Sequence, residues 1–164
     1  MKKILIICLL AFTFALASAQ TNKTNTAKFI EKKTYVFIPT RISPFMNEPT
    51  DLIGYLYFLS VKPDTITTYL PSFGVNGTDG PGKIINRNRG EYESVNFDYK
   101  TEKAKSGSWD ISINFKDSPG AIDVRMRLWI NKTGYGTLTV NKTSQPTRTY
   151  YGYLKAEDQK SLAK

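Results

Sequence analysis

From Val95 onward the chain alternates apolar and polar residues with a period of two. Val95, Phe97 and Tyr99 share one parity, with Asn96, Asp98 and Lys100 between them. Trp109, Ile111, Ile113 and Phe115 repeat the pattern against Asp110, Ser112, Asn114 and Lys116. Ile122, Val124, Met126, Leu128 and Ile130 do so against Asp123, Arg125, Arg127, Trp129 and Asn131. Leu138 and Val140 alternate with Thr137 and Thr139, and Tyr150 to Leu154 closes the series. Successive side chains of a strand point to opposite faces, so these segments read as strands with one face on a core and the other in water. Segments 101–107, 117–121 and 131–136 carry Gly or Pro-Gly and read as turns. Such short links join neighbours antiparallel. The predicted core is Phe97, Tyr99, Trp109, Ile111, Ile113, Phe115, Val124, Met126 and Leu128. Asp98, Asn114 and Arg125 should then face outward.

The upstream half is less regular. Ala27 to Lys33 predicts a short helix with Thr26 as its N-cap. Tyr35 to Ile38 predicts a strand closed by Pro39. Ile53 to Val61 is apolar on both parities and predicts a central strand buried on both faces. Lys62-Pro63-Asp64 is a turn signal, and the β-branched run Thr65 to Leu70 completes a hairpin. Pro71 to Gly90 holds Gly74, Gly77, Gly80, Gly82 and Gly90 as well as Pro81, and predicts an irregular crossing. The sum is a mainly β protein, a single antiparallel β-sandwich or barrel-like meander of about eight strands with a short N-terminal helix.

The first residues carry an address instead of a fold. Lys2 and Lys3 precede an apolar run from Ile4 to Leu16, and Ala17-Ser18-Ala19 offers small residues for a signal peptidase. The run is shorter than the about 20 residues a membrane helix needs. We therefore expect a signal peptide over 1–19, cleaved near Ala19-Gln20, and a protein of the periplasm or secreted beyond it. A flexible leader over 20–26, one β-rich domain over 27–155 and a charged tail over 156–164 complete the organisation. Cys8 lies within the apolar run and leaves with it, so the mature chain forms no disulfide and relies on its core.

Composition then narrows the chemistry. The chain has no histidine and one cysteine. That removes imidazole acid–base catalysis, histidine-based triads and most metal sites, so we expect no conventional enzyme, no metal and no cofactor. The formal charge of +9 is spread in short clusters, with no basic run longer than Lys32-Lys33. We expect no nucleic-acid binding, and a basic surface suited to envelope lipids or polymers instead. The glycines and lysine of 77–83 lack the spacing of a phosphate-binding loop.

Several local marks occur in a characteristic order. They are Tyr35-Val36-Phe37, then Tyr69-Leu70-Pro71-Ser72-Phe73-Gly74, then Phe97, then Gly107-Ser108-Trp109-Asp110-Ile111, and finally Tyr150-Tyr151-Gly152. In this order the chain resembles the domain of unknown function 4251 family over roughly residues 27–154, with Ser72 standing where that family tends to have tyrosine. The resemblance implies a small exported bacterial protein with a β-rich fold. It implies no catalytic residue and no cofactor.

Two outer surfaces are candidates for binding. Arg125, Arg127 and Trp129 share the polar face of one strand, where an aromatic ring beside guanidinium groups suits a sugar ring or an anionic headgroup. The alternative buries Trp129 under the N-terminal helix or the arginine stems. The second surface is the Pro71, Phe73, Gly74 corner with the glycine-rich crossing, where backbone is open to close approach. Its alternative is that Leu70 and Phe73 merely plug the sheet. The expectation is an exported envelope protein, not an integral membrane protein, serving as a non-catalytic module for a glycan, lipid or partner protein. The competing reading is a carboxylate-dependent hydrolase acting on an envelope polymer, for which Asp98 and Asp110 would have to face each other across adjacent strands.

Overall fold

The computed structural model describes residues 26–43, 49–71, 83–86, 91–117, 123–143 and 145–157. Residues 1–25, among them the expected signal peptide, as well as Phe73, Gly74 and the last residues of the tail lie outside the described residues. Helical conformation runs over 26–32, and Thr26 is already inside it. The strands are β1 (Tyr35–Ser43), β2 (Thr50–Asp51), β3 (Phe58–Val61), β4 (Ile66–Tyr69), β5 (Lys83–Asn86) and β6 (Glu91–Ser94). They continue with β7 (Phe97–Lys103), β8 (Trp109–Phe115), β9 (Val124–Ile130), β10 (Tyr135–Lys142) and β11 (Arg148–Lys155).

All pairings are antiparallel, in the order β5-β6-β4-β3-β1-β11-β10-β9-β8-β7, with β2 beside β1. Two meanders, β3-β4-β6-β5 and β7 through β11, are thus joined where the first and last strands pair. The ten strands in line curl into a nearly closed barrel. The count exceeds the eight expected because β2, β5 and β6 are short and lack a period-two signal of their own.

The core lies inside the barrel and follows the alternation. Strand β8 buries Trp109, Ile111, Ile113 and Phe115, and β9 buries Val124, Met126, Leu128 and Ile130. Phe97 and Tyr99, on the terminal strand β7, are partly buried against them. Each fully buried Ile, Leu or Phe side chain contributes about 1.5–3 kcal/mol. Asp98, Asn114 and Arg125 face outward, as the register requires. Ile30 of the helical segment is buried in the same cluster, with Ala27 and Phe29 packed against it. Those contacts hold the short helix in place.

Three local expectations are corrected. The first strand does not stop at Pro39 but runs to Ser43, because its register shifts between Pro39 and Arg41. Proline has no N–H to give, and here it falls where β1 changes partner from β3 to β2. The segment 53–57 is not strand. Gly54 turns it with φ of 90°, Tyr55 N–H donates to the Leu52 carbonyl at 3.2 Å, and Ile53, Tyr55 and Leu56 are exposed. Only β3 itself is buried on both faces, its Ser60 covered by Glu157, which also pairs with Lys62 at 3.0 Å. Finally, the glycine-rich crossing contains a strand, since Lys83, Ile84 and Asn86 pair with β6, with a register shift at Ile85.

Candidate functional site

Strand β9 alternates buried and exposed residues without interruption. Its outer side chains are therefore Arg125, Arg127 and Trp129, as expected. Trp129 is 44% exposed, so it is not buried under the helix or the arginine stems. Cross-strand register sets its neighbours. Trp129 is opposite Thr137 on β10, Thr137 is opposite Tyr151 on β11, and Tyr151 is opposite Arg41 on β1. Tyr151 is also 44% exposed. Two strand spacings separate Trp129 from Tyr151, or ~10 Å, with only a threonine between them.

The neighbouring rows extend this surface. Tyr135 is opposite Tyr153, their ring centroids 6.1 Å apart, and Thr139 is opposite Thr149. The outer face of β9, β10 and β11 is thus a threonine-floored strip with Trp129 on one side and tyrosines on the other. Tyr135, Tyr151 and Tyr153 escaped the sequence reading, although Tyr151 and Tyr153 carry the parity opposite to the buried Tyr150. The strip needs Gly136 and Gly152 behind it, which face each other across β10 and β11. A Cβ at Gly152 would lie 2.1 Å from the Ile38 carbonyl oxygen, and one at Gly136 would lie 2.0 Å from that of Trp129. Only glycine lets the backbones of these strands bend that close.

The electrostatics differ from the picture of free cations flanking a ring. The Arg127 guanidinium grips Asp110, with Nε 2.9 and 3.0 Å from its two oxygens and Nη2 on Oδ2 as well. Those hydrogen bonds hold the Asp110 carboxyl below its ordinary range and raise Arg127 in turn. Arg125 pairs with Asp123, and Arg41 with Asp51 at 3.2 Å. Glu102 sits directly opposite Asp110 across β7 and β8. The arginines around Trp129 are therefore charge-compensated, and an anionic headgroup finds no unpaired arginine there.

The acids weighed for hydrolysis are not brought together. Asp98 is opposite Asn114 and pairs with Lys116 at 2.7 Å, four positions along β7 from the residue facing Asp110. Among the described residues no group of acids is placed to hold a metal ion, and no helix is long and apolar enough to cross a membrane.

Of the second candidate surface only Pro71 lies among the described residues. Leu70 is buried, and the Pro71 carbonyl accepts a hydrogen bond from the Tyr150 hydroxyl at 2.7 Å. Burial raises that phenol well above its ordinary value. Pro71 thus pins the end of β4 to the core, while Phe73 and Gly74 fall outside the described residues. Beside it, Tyr57 stacks on Tyr55 and leans at a tilt on Tyr69, with centroids 5.4 and 4.9 Å away.

Comparison with known proteins follows the same lines. The model of the family described as a domain of unknown function (DUF4251) matches residues 17–154. No curated protein matches the chain. Among solved structures, the chain is similar to a DUF4251 family protein from Bacteroides eggerthii DSM 20697, determined by crystallography at 1.95 Å resolution. The TM-score is 0.60 at 16% sequence identity, over 86% of this chain and 91% of that one. That likeness is one of fold.

Proposed function

The chain belongs to the DUF4251 family, and on that premise we propose that it is a small, exported, non-catalytic module whose outer β9–β11 face binds a neutral saccharide. The observation that carries this reading is the row Trp129, Thr137, Tyr151, two exposed rings held on rigid strands with a hydroxyl between them. Sugar rings present apolar C–H faces to aromatic rings and hydroxyls at their rims, and such a strip answers both. Aromatic side chains already fixed on strands lose little entropy on binding. The paired arginines favour a neutral ligand over an anionic lipid, since each guanidinium already has its carboxylate. The Met1–Ala19 pattern supports export, where polymers of this kind occur.

Trp129 reports on its own surface, because the other tryptophan, Trp109, is only 5% exposed. The mature protein is titrated with neutral cello-, xylo-, manno- and chito-oligosaccharides while tryptophan emission is followed. At least one series should shift the emission, and Trp129→Ala should lose that binding without a change in thermal midpoint. Silence of the parent protein toward the whole panel would refute the proposal.

A further inference from the structure

Six lysines collect at one end of the barrel. Residues 26–33, 101–108 and 131–135 carry Lys28, Lys32, Lys33, Lys103, Lys105 and Lys132, against Glu31 and Glu102 as their acids. The structure brings these segments together. Thr26, at the start of the helix, lies against the β9–β10 turn, where a Cβ at Gly134 would sit 3.3 Å from its hydroxyl oxygen. The Lys132 stem crosses the β7–β8 turn, where a Cβ at Gly107 would sit 2.7 Å from its Cε. The helix end and the end of β7 share a groove, to which Ile30, Lys33, Lys103 and Trp109 contribute.

The two turns are built alike. Ala104 N–H donates to the Ser108 carbonyl at 2.9 Å and Gly107 N–H to the Ala104 carbonyl at 2.8 Å. Asn131 N–H donates to the Tyr135 carbonyl at 2.9 Å and Gly134 N–H to the Asn131 carbonyl at 3.1 Å. Gly107 and Gly134 complete the turns at φ of 80° and 88°. Each turn therefore holds its lysine, Lys105 or Lys132, at the same exposed position after the first residue. On the helix, Lys28 and Lys32 are four positions apart and both exposed. They share one face, where like charges work against a helix this short. Elsewhere on the barrel Arg41, Lys116, Arg125 and Arg127 each hold a carboxylate. None of the six lysines has an ion pair among the described residues.

Ammonium groups on two turn tips and the outer face of a helix spread uncompensated charge over an area. That is the complement of an anionic surface, not of one small anion. Tyr135, 62% exposed directly after the second turn, is a residue type that settles at headgroup level. We propose that this end of the barrel docks on an anionic bilayer surface, with the helix and both turns toward the headgroups. The proposal rests on export alone and is independent of the saccharide. The Met1–Ala19 pattern favours lipid phosphates over those of nucleic acid. Each lysine held near such a surface adds to the attraction, which fades within a Debye length.

The test is co-sedimentation of the mature protein with vesicles of phosphatidylcholine alone and of phosphatidylcholine mixed equally with phosphatidylglycerol. The parent should pellet with the anionic vesicles only, and release as ionic strength rises. The double variant Lys105→Gln/Lys132→Gln should bind the anionic vesicles roughly fivefold to thirtyfold more weakly, with its thermal midpoint unchanged. Lys116→Gln/Arg148→Gln removes the same charge at the opposite end and should bind as the parent does. No binding by the parent, or equal losses in the two double variants, overturns the docking and leaves the saccharide strip untouched. Duplex DNA that strips the protein from the vesicles at equal phosphate would assign the lysines to nucleic acid and overturn the bilayer.

Discussion

The hydroxyl oxygens of Tyr35 and Tyr99 lie 3.0 Å apart, although four strands separate β1 from β7 along the sheet. Only a sheet curled almost onto itself brings them together. Tyr35 is fully buried and Tyr99 partly so, and burial pushes both phenols up from their ordinary values. The Lys33 ammonium covers the Tyr99 ring from outside, 4.9 Å from its centroid.

This pair makes an asymmetric prediction. Tyr35→Phe removes a buried hydroxyl and should cost about 1 kcal/mol. Tyr99→Phe leaves the Tyr35 hydroxyl orphaned in the core and should cost more, about 1–3 kcal/mol. The double variant should cost less than the two singles together. Urea denaturation measures all three, and equal, additive losses would show that the hydroxyls do not meet in solution.

The register of β8 is tested by neighbours. Ile113 is fully buried, and Ile113→Ala should cost about 2–5 kcal/mol. Asn114, on the opposite parity, should tolerate alanine within about 0.5 kcal/mol. Thermal unfolding that ranks them the other way would mean the strand is turned over.

Gly152 carries a backbone prediction. Its missing Cβ would strike the Ile38 carbonyl oxygen and come within 2.9 Å of Phe37 Cζ, so Gly152→Ala must push β11 away from β1. Overpacking of this kind costs about 1–3 kcal/mol. This supplies a physical reason for the Tyr150-Tyr151-Gly152 mark in the sequence. A variant as stable as the parent in thermal melts would contradict the close approach.

The Arg127–Asp110 pair makes a prediction in pH. Asp110 is held below its ordinary value chiefly by hydrogen bonds from Arg127, so its ionised form favours the folded state. That contribution is fully present above the carboxyl's unfolded pKa of about 4 and fades as pH falls through the lower folded value. The Arg127 side chain is largely exposed, so the stabilisation is small. In Arg127→Met the Asp110 carboxyl, now facing Glu102 alone, should titrate higher than in the parent. Carbonyl-detected NMR follows the titration, and an unchanged pKa would remove Arg127 as the cause.

Where one face of a strand meets water, the fold could be read directly. Strands β8 to β10 and the outward placement of Trp129 follow from strict alternation, because a one-residue slip would expose the whole core. By contrast, β7 runs on to Lys103 through a segment read as a turn, and Val95, read as inward, is exposed. The other half hid its geometry in features that alternation does not encode. Pro39 marks a change of partner, Gly54 a turn inside an apolar run, and Ile84-Ile85 a short strand among glycines. The candidate site was half legible for the same reason. Trp129 and its arginines share one strand, whereas Tyr151 joins them only through pairing across β10, which no single segment states. Pairing with β8 also neutralises Arg127 on Asp110, and so changes the ligand expected.

The central claim is that the β9–β11 face is the binding surface, and amide chemical-shift mapping of the mature protein tests it most directly. A neutral oligosaccharide that shifts tryptophan emission is titrated into isotope-labelled protein. The account predicts perturbations concentrated at Trp129, Thr137, Thr139, Thr149 and Tyr151, with the exposed loop of Ile53, Tyr55 and Leu56 unmoved. Perturbations gathered on that loop, with the strip silent, would contradict it.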